Sequence, residues 1–305
     1  MSLDRPVFVV GPPRSGTTVV RVMLDRHSQL HVLNETHLFD VWVPRHPGLV
    51  TGDRGAFDRY WAEFTATPGF RDLELPADAV SAELDRWQRW DAAAVLRALL
   101  TCAAVGRGVP RAGEKTPDHA RYLPELLAAC PDARIVYVLR DPRAVVASEL
   151  ALDRDWASDD PEVAAERWAR CVAPWLAWRD DRRVVTVRYE QLVREPRTVL
   201  TAVCAHVGLA FEPQLLDHEG GHPVYRHGEH DPWGPLEISA ADAWRGQLGT
   251  GAQASIHAVC GGLARRAGYP LEADLGHARA ALGRARRAGR RLQRVVARHG
   301  DRDEP

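Results

Sequence analysis

Residues 7–18, VFVVGPPRSGTT, decide the fold. VFVV is apolar without a break and mostly β-branched, as in a strand buried on both faces, and Gly-Pro-Pro ends it. Beyond the loop, Val19, Val20, Met23 and Leu24 recur at helical spacing. Strand, glycine loop and helix is the order of a phosphate-binding loop, G-x-x-x-x-G-K-[ST], whose backbone N–H groups point at an anion. Gly11 and Gly16 have the right separation and Thr18 takes the hydroxyl position. Thr17, however, stands where the lysine belongs, and Arg14 sits inside the loop. In nucleoside triphosphate enzymes that lysine reaches the β- and γ-phosphates. Its absence points to a single phosphate bearing a smaller transferable group, with Arg14 supplying charge and Thr17 and Thr18 adding hydroxyls.

The same alternation continues along the chain. RIVYVLR (134–140) is a near-continuous apolar run, typical of a parallel strand. DPRAVVASEL (141–150) then puts Asp141 at an N-cap and Pro142 at the first helical position. RVVTVRYE (183–190) reads as a strand, and 92–105, 119–131, 161–180 and 195–209 read as helices. The pattern predicts an α/β fold: three layers, α/β/α, of phosphate-loop type, with a central, mainly parallel sheet. One domain is expected over 1–275, with a helical and loop excursion for acceptor binding at 37–107 and a second excursion at 217–250. The first holds Trp42, Trp61, Trp87, Trp90, His37 and His46, and the second Trp233, His222, His227 and His230. Such residues suit an aromatic or sugar-like acceptor; the tryptophans equally suit core packing. Residues 276–305 form a basic tail, expected helical, with seven arginines between 284 and 298 that suit an acidic surface or simple solvation.

Composition narrows the function. A chain of 305 residues, 45% hydrophobic, can bury a full core. A formal net charge of −1 gives no support to a nucleic-acid partner. No stretch approaches the roughly 20 apolar residues of a membrane span, and VFVV is too short for a secretory leader, so a cytoplasmic protein is expected. The five cysteines lack C-x-x-C spacing and read as thiols, and no metal site is expected. Of 40 cationic Lys and Arg residues, Lys115 alone is lysine. A chain that writes arginine almost everywhere has one place calling for a compact ammonium.

Three further stretches carry chemistry. RIVYVLR ends in Arg140, where a magnesium-binding strand would end in aspartate; its fork suits a second anion, or it merely pairs with Asp141. In GEKTP, Lys115 can stabilise charge developing in a transition state. In LNET, Glu35 lies just past a strand-like run and can take a proton from a hydroxyl.

Together, PRSGTT, the Glu-Thr pair about twenty residues on, EKTP, LRDPRAVVAS and VRYEQL–x–x–x–P resemble the sulfotransferases that use 3′-phosphoadenosine-5′-phosphosulfate (PAPS). The likeness is to the bacterial branch and to the tyrosylprotein sulfotransferases that share the PRSGTT loop. It implies that Arg14, Ser15, Gly16, Thr17 and Thr18 bind the 5′-phosphosulfate. It implies that Arg140 and Ser148 hold the 3′-phosphate and that Tyr189 touches the nucleotide. Lys115 matches a lysine near the leaving oxygen and Glu35 a general base, with Arg14 also touching the sulfuryl group. PAPS would be cosubstrate, 3′-phosphoadenosine-5′-phosphate (PAP) the product, and no metal would be needed. The acceptor would be a hydroxyl on a small molecule, carbohydrate or natural product. Two positions depart from the tyrosylprotein pattern: Leu152 stands where a second arginine follows the serine, and Ala243 precedes Trp244 where a lysine is usual. A small-molecule kinase with a phosphate-binding loop, or a non-catalytic binding protein, are the alternatives.

Overall fold

The structure, a computed structural model, describes residues 4–152, 157–217 and 238–271. Five strands form one parallel sheet: β1 (Val7–Val10), β2 (Leu30–Leu33), β3 (Arg111–Lys115), β4 (Arg134–Leu139) and β5 (Val184–Arg188), in the order β2-β3-β1-β4-β5. VFVV is β1, and all four of its residues are 0% exposed, as its unbroken apolar run requires. Val7 and Val9 face a cluster made by Val20, Met23 and Leu24 of the helix Thr17–Asp25 and by the helix Pro196–Val207. The helix Ala92–Arg107 packs on β2 and β3. Tyr137 of β4 stacks on Trp175 at 5.4 Å, and its hydroxyl donates to the Cys171 carbonyl at 3.0 Å.

The strand order locates the site. From β1 the chain crosses β3 to reach β2, and then turns back through β3 to β4 and β5. Right-handed crossovers put the helix after β1 on one face and the connections after β2 and β3 on the other. The chain therefore diverges at the carboxyl end of β1, where ligands of open parallel sheets bind. The loop 11–16 leaves β1 there, Lys115 ends β3, Arg140 follows β4, and Glu35 lies two residues past β2. Register aligns Val9 with Lys115, next to the loop.

The described residues divide into two compact units, 4–140 with 170–217 and 238–241, which carries the sheet, and 141–152 and 157–169 with 242–271. In the second, the helix Pro142–Leu150 packs against the helices Trp244–Gln247 and Thr250–Arg266. Asp141 caps it as expected, accepting from the Arg143 amide at 2.8 Å. The Arg143 guanidinium lies 3.9 Å from the Trp244 ring centroid. Glu149 is buried and pairs with Arg167 at 2.6 Å.

Two element boundaries differ from expectation. The run 183–190 stops being strand at Arg188, and Tyr189 opens a short helix, Tyr189–Arg194. The stretch 119–131 divides into a 3₁₀ segment, Pro117–Arg121, and a helix, Leu123–Ala129, whose second residue is Pro124. The tail 276–305 lies outside the described residues.

Candidate active site

The loop after β1 is shaped by two glycines and a strained arginine. Gly11 adopts φ 150°, and a Cβ there would sit 2.1 Å from the Val138 carbonyl oxygen of β4. Its N–H donates to the Pro117 carbonyl at 3.2 Å, tying the loop to the exit of β3. Arg14 is left-handed at φ 67° and Gly16 at φ 98°, so the chain turns sharply before the helix begins at Thr17. Non-glycine residues hold such a conformation only where their surroundings fix it. Among the described residues no side chain caps this helix start, and the Ser15 hydroxyl, 0% exposed, has no hydrogen-bond partner. An uncapped helix N-terminus beside an orphaned buried hydroxyl is a fit for a phosphate or sulfate oxygen. Thr17 is buried and Thr18 half-buried at this start.

The Tyr189 ring joins this loop to two other strand exits. A Cβ on Gly16 would meet Cδ2 of Tyr189 at 2.5 Å and Cε2 at 2.9 Å, so the edge of the ring abuts the loop. On the same ring the Arg140 guanidinium sits 4.3 Å from the centroid. Arg140 Nη1 donates to the Arg14 carbonyl at 3.0 Å and Nη2 to the Ala240 carbonyl at 2.7 Å. Arg140 is thus bonded to two backbone carbonyls, while the Asp141 carboxylate is held in two places by Arg143. Ser148 lies half-buried on the helix Pro142–Leu150 of the second unit.

Lys115 and Glu35 meet. The Lys115 ammonium is 0% exposed and donates to Oε1 of Glu35, whose side chain is 30% exposed. Burial pushes the Lys115 ammonium below its usual range, while Glu35 pulls it back. For Glu35, burial pushes up, but Lys115 and His37 outweigh it and hold the carboxyl down at about 2. Nε2 of His37 lies 3.0 Å from Oε2 of Glu35, an ion-pair distance, and Nδ1 donates to Asp40 at 2.9 Å.

Behind His37 the charges continue to alternate. Oδ1 of Asp40 lies 3.4 Å from Nε2 of His119, and Nδ1 of His119 donates to Glu114 at 3.2 Å. The other oxygen of Glu114 accepts from the Thr36 amide at 3.2 Å, the Thr36 hydroxyl at 3.0 Å and the Thr116 hydroxyl. His119 and Glu114 are both 0% exposed. Burial lowers the His119 ring's proton affinity, but Glu114 and Asp40 on either side raise it to about 9. The Phe39 amide also points at Nε2, at 3.2 Å, and would suit a neutral ring; two carboxylates outweigh one amide. Among the described residues no group of three or more His, Cys, Asp and Glu is arranged to hold a metal ion.

Sequence reading found Glu35 and Lys115 but not the links behind them. Asp40, Glu114 and His119 come from three separate segments, and only adjacent charges at the end of a buried strand, Glu114-Lys115, hinted at them. Trp42 and Trp61 sit in an aromatic cluster with Tyr60, Phe64 and Phe70, so they pack a core. Trp90 lies 4.8 Å from the Arg54 guanidinium. His222, His227, His230 and Trp233 lie outside the described residues.

The sequence model of the Sulfotransferase family matches residues 6–213. A putative protein-tyrosine sulfotransferase of Caenorhabditis briggsae is 24% identical over 222 residues, covering 71% of this chain and 70% of that protein. Carbohydrate sulfotransferase 5 of Mus musculus is 31% identical over 168 residues, covering 45% of this chain and 41% of its own length. The sulfotransferase domain of the Synechococcus PCC 7002 olefin synthase superposes with a TM-score of 0.59 at 24% identity, covering 89% of this chain and 98% of that domain. That last likeness is one of fold, and the parallel sheet with its flanking helices is what the two share.

Proposed function

The chain belongs to the sulfotransferase family and is a transferase of sulfuryl groups, and from that premise we propose that it moves the group from PAPS to a hydroxyl acceptor. The observation that carries this reading is the contact of buried Lys115 with part-exposed Glu35 beside the loop, an acid–base couple at the carboxyl ends of β2 and β3. The nucleotide supplies an electrophilic sulfur bonded through oxygen to a 5′-phosphate. Glu35 accepts the proton of the acceptor hydroxyl, whose oxygen bonds to sulfur as the bond from sulfur to the phosphate oxygen breaks. The products are a sulfate ester and PAP. Lys115, Arg14 and the loop N–H groups balance charge that grows on the departing oxygen. Ser15, Gly16, Thr17 and Thr18 hold the 5′-phosphate, and Arg140 with Tyr189 serves the 3′-phosphate side of the nucleotide.

At rest Glu35 is a weak base because two cations hold it. When Lys115 turns to the departing oxygen, Glu35 loses one of them and its basicity rises toward what proton transfer needs. The acceptor reading follows from this chemistry. Relatives named for protein tyrosine and for carbohydrate both point to hydroxyl acceptors, and the segment 37–107 supplies the acceptor side here. No described helix is long and apolar enough to cross a membrane.

Thermal shift with PAP against ATP tests the donor, since a ligand bound only by the native state raises the melting temperature. PAP is expected to raise it and ATP with magnesium is not; the reverse result overturns the reading in favour of a kinase. Labelled PAPS with an acceptor library then identifies the hydroxyl. Glu35→Gln is expected to abolish transfer while leaving the PAP shift intact, and turnover at the wild-type rate would remove Glu35 as base.

A further inference from the structure

His37 is placed by two unusual pieces of backbone. It holds a left-handed φ of 50°, and the five residues after it, Leu38–Trp42, form a π-helical turn. Left-handed non-glycine residues and π-turns persist where the surroundings fix them, often at functional sites. Here both serve one end. They bring the Asp40 carboxylate, three residues on, against Nδ1 of His37, while Nε2 faces Glu35. A ring with a carboxylate on each nitrogen is satisfied only as the imidazolium, which donates twice.

The far side of the ring is buried. Asp40 is only 8% exposed, and His119 and Glu114 behind it are fully buried. Glu114 is pinned by Thr36 and Thr116, which also fix the backbone on either side of the Glu35–Lys115 pair. His37 itself is 39% exposed, on the open side of Glu35. The charged groups facing it are Glu35 and Asp40, with Lys115 beyond the first and His119 beyond the second.

We propose that His37 is a positioning residue for Glu35: a charged imidazole, braced by Asp40, His119 and Glu114, that keeps the carboxylate ionised and aimed. It answers a difficulty in the reaction, on whose reading of Glu35 as base it rests. Lys115 cannot serve the departing oxygen and hold Glu35 at once. His37 holds the second oxygen throughout, so the carboxylate keeps its orientation when Lys115 leaves it. His37 exchanges no proton with substrate in this role.

The test uses the whole chain labelled with ¹⁵N-histidine and ¹³C-glutamate, with PAP as the probe ligand. The His37 ring is expected to stay doubly protonated to about two pH units above the ordinary histidine value, free and with PAP bound. Asp40→Asn and Glu35→Gln should each lower its proton affinity at least about tenfold. His37→Asn is the chosen deletion because asparagine tolerates the left-handed backbone. It should raise the proton affinity of Glu35 at least about tenfold, move the acid limb of the rate profile to higher pH, and lower kcat with little change in the KM for PAPS. A His37 ring titrating near the ordinary value, or a Glu35 titration unmoved by His37→Asn, overturns the proposal. The two titrations are read without turnover. Normal activity in Glu35→Gln would therefore refute the base while leaving the His37 result to stand or fall separately.

Discussion

The ring of Tyr189 lies on Gly16 so closely that one added methyl group would strike it at 2.5 Å. The contact joins the loop after β1 to the segment after β5, with Arg140 on the same ring from the end of β4. Gly16→Ala meets two obstacles, the ring and a φ of 98°. Backbone strain of this kind costs about 1–3 kcal/mol, so calorimetry should show PAP binding weakened by about tenfold or more. Adding Tyr189→Ala should recover little, because it relieves the clash and leaves the strain. Full recovery in the double variant would show that the ring alone demands glycine.

Ser15 offers a test of opposite sign. A buried hydroxyl without a partner costs about 1–3 kcal/mol, and among the described residues Ser15 has none. Ser15→Ala should therefore match or exceed the wild-type melting temperature without nucleotide and show a smaller rise on adding PAP. A variant less stable alone and equally responsive to PAP would separate this hydroxyl from the phosphate.

Lys115→Arg keeps the charge and changes the shape. The side chain is fully buried, and a guanidinium is larger, planar and differently directed. Overpacking of such a site costs about 1–3 kcal/mol, and loss of one charge-stabilising donor lowers turnover by about 10²–10³. Single-turnover transfer with wild-type rates in this variant would mean that any cation suffices.

Arg140→Ala removes a guanidinium that donates to two backbone carbonyls, those of Arg14 and Ala240. PAP affinity should fall more than the affinity for adenosine 5′-phosphosulfate, which lacks the 3′-phosphate. Equal losses for both ligands would make Arg140 a support for the loop rather than a phosphate reader.

Two histidines, His37 and His119, predict a stability profile. Folding raises His119 to about 9 and His37, with burial opposing and Asp40 and Glu35 prevailing, to about 10. Groups raised on folding stabilise fully below their unfolded value, near 6.5 for histidine, and lose that contribution as pH climbs through the folded one. Melting temperature should therefore fall between about pH 6.5 and 10. His119→Leu leaves Glu114 and Asp40 buried without their cation, and urea titration should show a loss of about 3–5 kcal/mol. A flat profile over this range would place neither proton in the folded protein.

How much of this was legible follows from what each feature depends on. VFVV and RIVYVLR announced buried parallel strands because nothing polar interrupts them, and Asp141-Pro142 announced a helix start because capping is local. The loop was readable because its two glycines answer a demand of the backbone made within six residues. The Lys115–Glu35 pair was half legible: each residue stood out, but their contact spans 80 residues and needs the strand order. The chain Asp40–His119–Glu114 left no periodic trace, since its members meet only after β2 and β3 pair. His37 was noticed as an acceptor-side ring, while its place between two carboxylates came from a left-handed backbone that no spacing encodes. The tryptophans at 42 and 61 could be read either way from sequence, and packing decided for the core.

Having one lysine in 305 residues gives the chain a built-in spectroscopic label. Growth on ¹⁵N-lysine would place a single side-chain ammonium signal in the spectrum, and it would arise from the residue in contact with Glu35. Its exchange with solvent protons would report the opening of the Glu35 contact directly. Amine-acylating reagents, kept out of the closed interior, would find that side chain only when it swings free.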